Sequence, residues 1–159
     1  LRKEIHKDGF KEVRILDIMN EVRNAGINIG GNYIFGLPMD TEESLQATLD
    51  FALEHKTEMT NMYCAMAYPG SPLHLTAKKK GWKLPDTYVG YSQHAYETLN
   101  LSNDNLTAKQ ILAFRDKAWM TYHTDQSYLK LLEDKFGVKA RENVENSTKI
   151  KLKRKLLGD

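Results

Sequence analysis

The side chains able to do chemistry here are few, and two corners of the chain gather the best of them. Gly36-Leu37-Pro38 closes one short apolar run, and Tyr68-Pro69-Gly70-Ser71-Pro72 follows another. Glycine lets a backbone approach a neighbour closely, and proline stiffens the exit. Corners of this kind at the carboxyl ends of parallel strands are where barrels and open α/β sheets place ligands. The remaining reactive residues offer less. The five histidines, His6, His55, His74, His94 and His123, show no metal-ligand spacing. His94 alone sits in an aromatic-rich segment and is the one to test. The sole cysteine, Cys64, lies in an apolar run and reads as a small buried hydrophobe rather than a nucleophile. No Ser–His–Asp or Cys–His arrangement is visible. Lys78-Lys79-Lys80 and the basic tail from Lys149 to Lys155 read as solvated helix faces, so nucleic acid is not an expected partner.

The elements that must position these corners follow from periodicity and capping signals. Phe10, Val13, Leu16, Ile18, Met19 and Val22 share a stripe that predicts a helix from Phe10 to Ala25, closed by Gly26. Residues 27–35 predict a strand, with a bulge or tight packing at Gly30-Gly31. Asp40-Thr41-Glu42-Glu43 has capping-box spacing, with a carboxylate reaching back to the cap, and predicts a helix to about His55. Residues 61–67 suit a strand covered on both faces. Strand, helix and strand then make a βαβ unit with parallel strands. Ser71-Pro72 caps a short helix that Gly81 closes. Residues 82–101 carry Trp82, Tyr88, Tyr91 and Tyr96 and read as a wrap, lid or binding loop. Thr107-x-x-Gln110 and Ser127 open two further helices, the second ending at Phe136-Gly137.

The fold class is therefore α/β, an incomplete parallel sheet followed by a mostly helical extension, divided at residues 1–81 and 82–159. A chain of 159 residues that is 41% hydrophobic holds one core. Its net charge of +2 selects no partner. One cysteine excludes an internal disulfide, and a reducing, cytoplasmic setting fits. No run is long and apolar enough to span a bilayer. Two strands leave both sheet edges open, so another segment or another chain is expected to complete the sheet, with a homodimer through those edges as one solution. The start at Leu1 reads as the middle of a longer protein.

The order Ala25-Gly26-Ile27, Asn32-Tyr33-Ile34-Phe35-Gly36-Leu37-Pro38, Asp40-Thr41-Glu42-Glu43-Ser44, then Tyr68-Pro69-Gly70-Ser71-Pro72-Leu73 resembles the radical S-adenosylmethionine enzymes. It is similar to the second half of their TIM-like partial (β/α)6 barrel. Gly81-Trp82-x-Leu84-Pro85, Gly90-Tyr91-Ser92-Gln93-His94-x-Tyr96-Glu97-Thr98, Phe114-Arg115-Asp116 and the end from Lys153 to Asp159 resemble the tail of a subgroup. Many members of that subgroup carry an amino-terminal cobalamin-binding domain. Three departures stand out. The Cys-x-x-x-Cys-x-x-Cys triplet that holds the family's [4Fe–4S] cluster is absent; Met39 follows Gly-Leu-Pro where glycine is common; and Pro-Gly-Ser replaces Pro-Gly-Thr.

The resemblance implies S-adenosylmethionine and a [4Fe–4S] cluster in the full-length parent, with cobalamin as a possible further cofactor. In such enzymes a reduced cluster cleaves S-adenosylmethionine to a 5′-deoxyadenosyl radical, which abstracts hydrogen from a substrate at the barrel mouth. It implies that Asn32, Ile34, Gly36 and Pro38 border the cofactor, that Tyr68, Pro69 and Gly70 line the same pocket, and that Tyr91, His94 and Tyr96 cover a small or lipid-like substrate. Without the triplet the chain is expected to be inactive alone, its partner being the missing amino-terminal half. A self-standing α/β interaction domain that pairs through open sheet edges is the rival reading. A phosphate or nucleotide binder using the helix starts at Thr41 and Ser71 ranks third.

Overall fold

A computed structural model describes residues 14–159. The predicted helix positions at Phe10 and Val13, and the opening segment from Leu1, lie outside the described residues. Helix α1, Ile15–Asn24, is followed by strand β1, Gly30–Phe35, helix α2, Glu42–Glu54, strand β2, Met59–Cys64, and helix α3, Pro72–Lys80. A single 3-10 turn, Tyr88–Tyr91, interrupts an otherwise irregular stretch. Helices α4, Ala108–His123, α5, Gln126–Phe136, and α6, Val138–Thr148, complete the order. The result is a mixed α/β fold with a two-stranded parallel sheet and a mostly helical second half. Among the described residues, no helix is long and apolar enough to cross a membrane.

Local chemistry explains most boundaries. Thr107 and Gln110 form a reciprocal capping box at α4, and Ser71 accepts the His74 N–H at α3. Gly81 ends α3 in the left-handed region at φ +68°. Helix α2 is capped differently from the expectation. Thr41 is its cap, and Ser44, not a glutamate, reaches back to it. The carboxylate of Asp40 is occupied elsewhere, as described below.

The strands pair without a bulge, Gly30 opposite Met59 through Phe35 opposite Cys64. Tight packing does occur at Gly31, where a Cβ would meet Thr57 Oγ1 at 2.7 Å. One face of the sheet carries Tyr33, Phe35, Met62 and Cys64 into a core shared with Leu45, Leu49 and Ala52 of α2 and Ile111, Leu112, Ala118 and Tyr122 of α4. Both helices thus lie on the same side. Strand β2 was expected to be covered on both faces, yet its Asn61 is exposed on the other face, as are Asn32 and Ile34 of β1. The run around β2 is apolar because one face is buried, while polar and half-buried residues alternate with it.

The two edges also differ. In a parallel ladder the N–H and C=O of one residue point to the same side. Cys64 N–H donates to Gln93 Oε1 at 3.0 Å, and Gln93 Nε2 donates back to Cys64 O at 2.9 Å. Arg115 Nε donates to Met62 O at 2.7 Å. The outer edge of β2 is therefore closed by side chains from the second half. The outer edge of β1, at Gly30, Asn32 and Ile34, receives no such cover among the described residues. Helix α1 shows the same incompleteness. Leu16 and Ile18 of its predicted apolar stripe are exposed, as is the neighbouring Ile15, and only Met19 is buried.

The tail overturns a further expectation. Read as part of a solvated basic run, Arg154 is instead fully buried. Its guanidinium donates to both oxygens of Asp116, each at 3.1 Å, and to Gln93 O at 2.9 Å. Burial is tolerated because charge and N–H groups are both matched.

Candidate functional site

The first corner is held by a carboxylate. Gly36 takes φ +84°, a conformation open to glycine, and its Cβ direction points at Ile111, with 2.6 Å to Cγ2. Asp40 Oδ2 accepts the Gly36 N–H at 2.9 Å and the Leu37 N–H at 2.8 Å, and Asp40 Oδ1 accepts the Ser44 hydroxyl at 2.8 Å. Asn103 Nδ2 donates to Leu37 O at 2.8 Å and Asp40 O at 3.0 Å. Its own Oδ1 accepts the Asn105 and Leu106 N–H groups. The corner is thereby fixed from three directions. Close approach at Gly36 serves the α4 side chain Ile111, and Pro38 is half-buried in the same turn.

The second corner leaves the same end of the sheet. Ala65 N–H donates to Phe35 O at 2.8 Å, extending the pairing by one residue, and the chain turns at Tyr68-Pro69-Gly70. Tyr68 O accepts both the Ser71 N–H and the Ser71 hydroxyl, while Gly70 takes φ +87°. The Tyr68 ring is half exposed and stacks on Tyr91, centroids 5.8 Å apart.

On the bare face the polar side chains are the amides of Asn32 and Asn61 and the half-buried Tyr63. Asn61 Nδ2 donates to Asn32 Oδ1 at 3.0 Å across the strands. Among the described residues Asn32 Nδ2 and Asn61 Oδ1 have no hydrogen-bond partner, and Ile34 is exposed beside them. No charged side chain belongs to either strand.

Of the three loop residues expected over the substrate, the structure brings only Tyr91 to the corners. His94 lines a recess with Arg115 and Asp116, and Tyr96 donates its hydroxyl to Asp159 O at 3.2 Å. Burial, then the Arg115 and Arg154 charges, hold His94 below its ordinary value and hence neutral at neutral pH. Cys64 is buried at the end of β2, and burial pushes its thiol up to about 12. Among the described residues, no group of three His, Cys, Asp or Glu side chains is arranged to hold a metal ion.

Asp40, Asn103, Gln93, Arg115 and Arg154 carry the organisation of this region; all but Asn103 stand in motifs quoted from the sequence, none of them with this role. Asn103-Asp104-Asn105 does carry a turn signal, an Asn side chain accepting from the backbone two and three residues on.

No protein-family model matches the chain, and no solved structure matches it. Among curated proteins the chain is similar to bacteriochlorophyllide d C-12(1)-methyltransferase of Chlorobaculum tepidum, with 28% identity over 93 residues. That match covers 56% of this chain and 20% of the relative, so the aligned part spans about a fifth of the relative's length.

Proposed function

We propose that the chain is the carboxy-terminal part of a radical S-adenosylmethionine enzyme whose two strand ends border the cofactor and the substrate. One observation carries the reading. Two parallel strands bury one face under helices, leave the other bare, and send both proline corners from the same end. A barrel wall seen in isolation has that form, with the bare face as its lumen. The similarity to a protein named for methyl transfer to a bacteriochlorophyllide agrees with it and favours methylation of a small or lipid-like substrate.

The residues present suit S-adenosylmethionine. Asn32 and Asn61 keep hydrogen-bonding capacity for polar edges of the nucleoside, Ile34 gives the adenine an apolar surface, and Tyr68 closes the rim. When bound, the cofactor supplies radical or methyl chemistry; these side chains orient it and exclude water. The residues do not suit an iron–sulfur cluster. One buried, protonated cysteine provides no ligand set, so cluster ligands belong to another segment, as does any cobalamin.

The test is the coding sequence upstream of Leu1. It is expected to encode a Cys-x-x-x-Cys-x-x-Cys triplet, and its absence overturns the reading. In the enzyme containing that triplet, Ile34→Asp is expected to lower reductive cleavage of S-adenosylmethionine at least tenfold, and unchanged cleavage removes β1 from the site.

A second reading rests on the open β1 edge and the exposed α1 stripe. As a self-standing interaction domain, the chain pairs these surfaces with another protein or with a second copy. Sedimentation discriminates: a dimer that Ile34→Lys dissociates favours this reading.

A further inference from the structure

A recess of about 510 Å³ lies between α4 and the tail, away from the bare face of the sheet. Its walls are apolar: Trp119 and Met120 from α4, and Ile150, Leu152 and Leu157 from the segment after α6. The size is that of a small-molecule pocket. Arg115 lines it and is only 4% exposed. Nε of Arg115 is spent on Met62 O and Nη1 on Asp116 Oδ1, at 2.7 and 2.8 Å. Nη2 has no acceptor among the described residues. Nη2 is not sealed from solvent, since among the described residues Asn100 Oδ1 is the one fully buried side-chain polar atom without a partner. An acceptor entering the recess can therefore reach the Nη2 donors.

The charge balance agrees. Asp116 is the one carboxylate shared by Arg115 and Arg154. Lys151, also at the recess, is matched by Asp159 at 2.6 Å. His94 on the rim is neutral for the reasons given above. Counting side chains alone, one positive charge is left over. Guanidinium N–H groups and a surplus of one charge select a carboxylate.

We infer that this recess binds a small amphiphile, an apolar body bearing a single carboxylate, with the carboxylate accepting from Arg115 Nη2 and the body lying between Trp119 and Leu152. This site is separate from the strand ends and stands or falls independently of the cofactor reading.

Titration calorimetry on the 159-residue chain with octanoate and 1-octanol tests it. Octanoate is expected to bind saturably, one per chain, and at least tenfold more tightly than the alcohol. Arg115→Met is expected to abolish that preference. Because Arg115 also braces β2 and its loss can unfold the chain, Met120→Trp serves as the second variant. It fills the recess from an exposed α4 position and is expected to weaken octanoate at least tenfold. Absence of saturation, equal binding of acid and alcohol, or undiminished binding to Met120→Trp overturns the proposal.

Discussion

The two edges of the sheet make an instructive pair. Strand β2 has its outer edge closed by an amide that mimics a neighbouring strand, Gln93 on Cys64, and by a guanidinium on Met62. Strand β1 has no such cover among the described residues, and its exposed face and the exposed residues of α1 both belong to the first part of the chain. Evolved sheets do not leave edges bare without reason. Among the described residues the sheet is closed at β2 and open at β1, so under the proposed reading a further strand would join at β1.

The largest expected effect comes from breaking the closed side. Arg154→Met removes the side chain that ties Asp116 to the carbonyls of the Gln93 segment, leaving the carboxylate and those carbonyls short of donors. A loss of about 3 kcal/mol in urea unfolding is expected. Gly36→Ala comes next. It combines a left-handed backbone with an overlap on Ile111, at a cost of about 2–3 kcal/mol. Pairing it with Ile111→Ala is expected to recover the overlap component only, as a double-mutant cycle would read.

Gln93→Ala strips the amide from β2 while leaving the core intact. A cost of about 1–2 kcal/mol is expected, with faster hydrogen exchange at the Cys64 amide and little change at β1.

Acid has a smaller effect. Burial holds His123 below its ordinary 6.5, and its Nδ1 faces Trp119 O at 2.8 Å. The unfolded chain therefore binds the proton more readily than the folded one below that value. Stability is full above it and falls as pH drops toward the folded-state value. His123→Asn is expected to flatten this part of a stability–pH profile. Smallest of all is Ile34→Lys on the bare face. Within about 0.5 kcal/mol of the parent in stability, it sharpens the comparison by removing whatever joins at β1 while sparing β2.

How much of this was legible depends on distance along the chain. The starts at Thr107 and Ser71 and the stop at Gly81 are each written in a few adjacent residues, and much of the order of strands and helices followed from such signals. The role of Asp40 was misplaced although it is local. A carboxylate before a helix can cap it or tie the preceding turn, and only the positions of Gly36 and Leu37 N–H decide between the two. The features that close the sheet were not legible. Gln93 reaches Cys64 across 29 residues, Tyr122 reaches Thr57 across 65, and Arg154 reaches Gln93 O across 61. A basic run looks solvated until the fold supplies an acid and carbonyls to meet one of its members. The bare face was equally hidden, because an apolar strand does not say which of its sides will find cover.

The solitary thiol at the end of β2 gives the molecule a clock. Cys64 is sealed beneath α4 and protonated at any ordinary pH, so a maleimide or disulfide reagent reaches it only when that helix lifts. With no second sulfhydryl to confuse the reading, the rate of labelling counts those excursions directly. A ligand, another protein segment or a second copy that steadies the sheet will therefore announce itself as a slower tick.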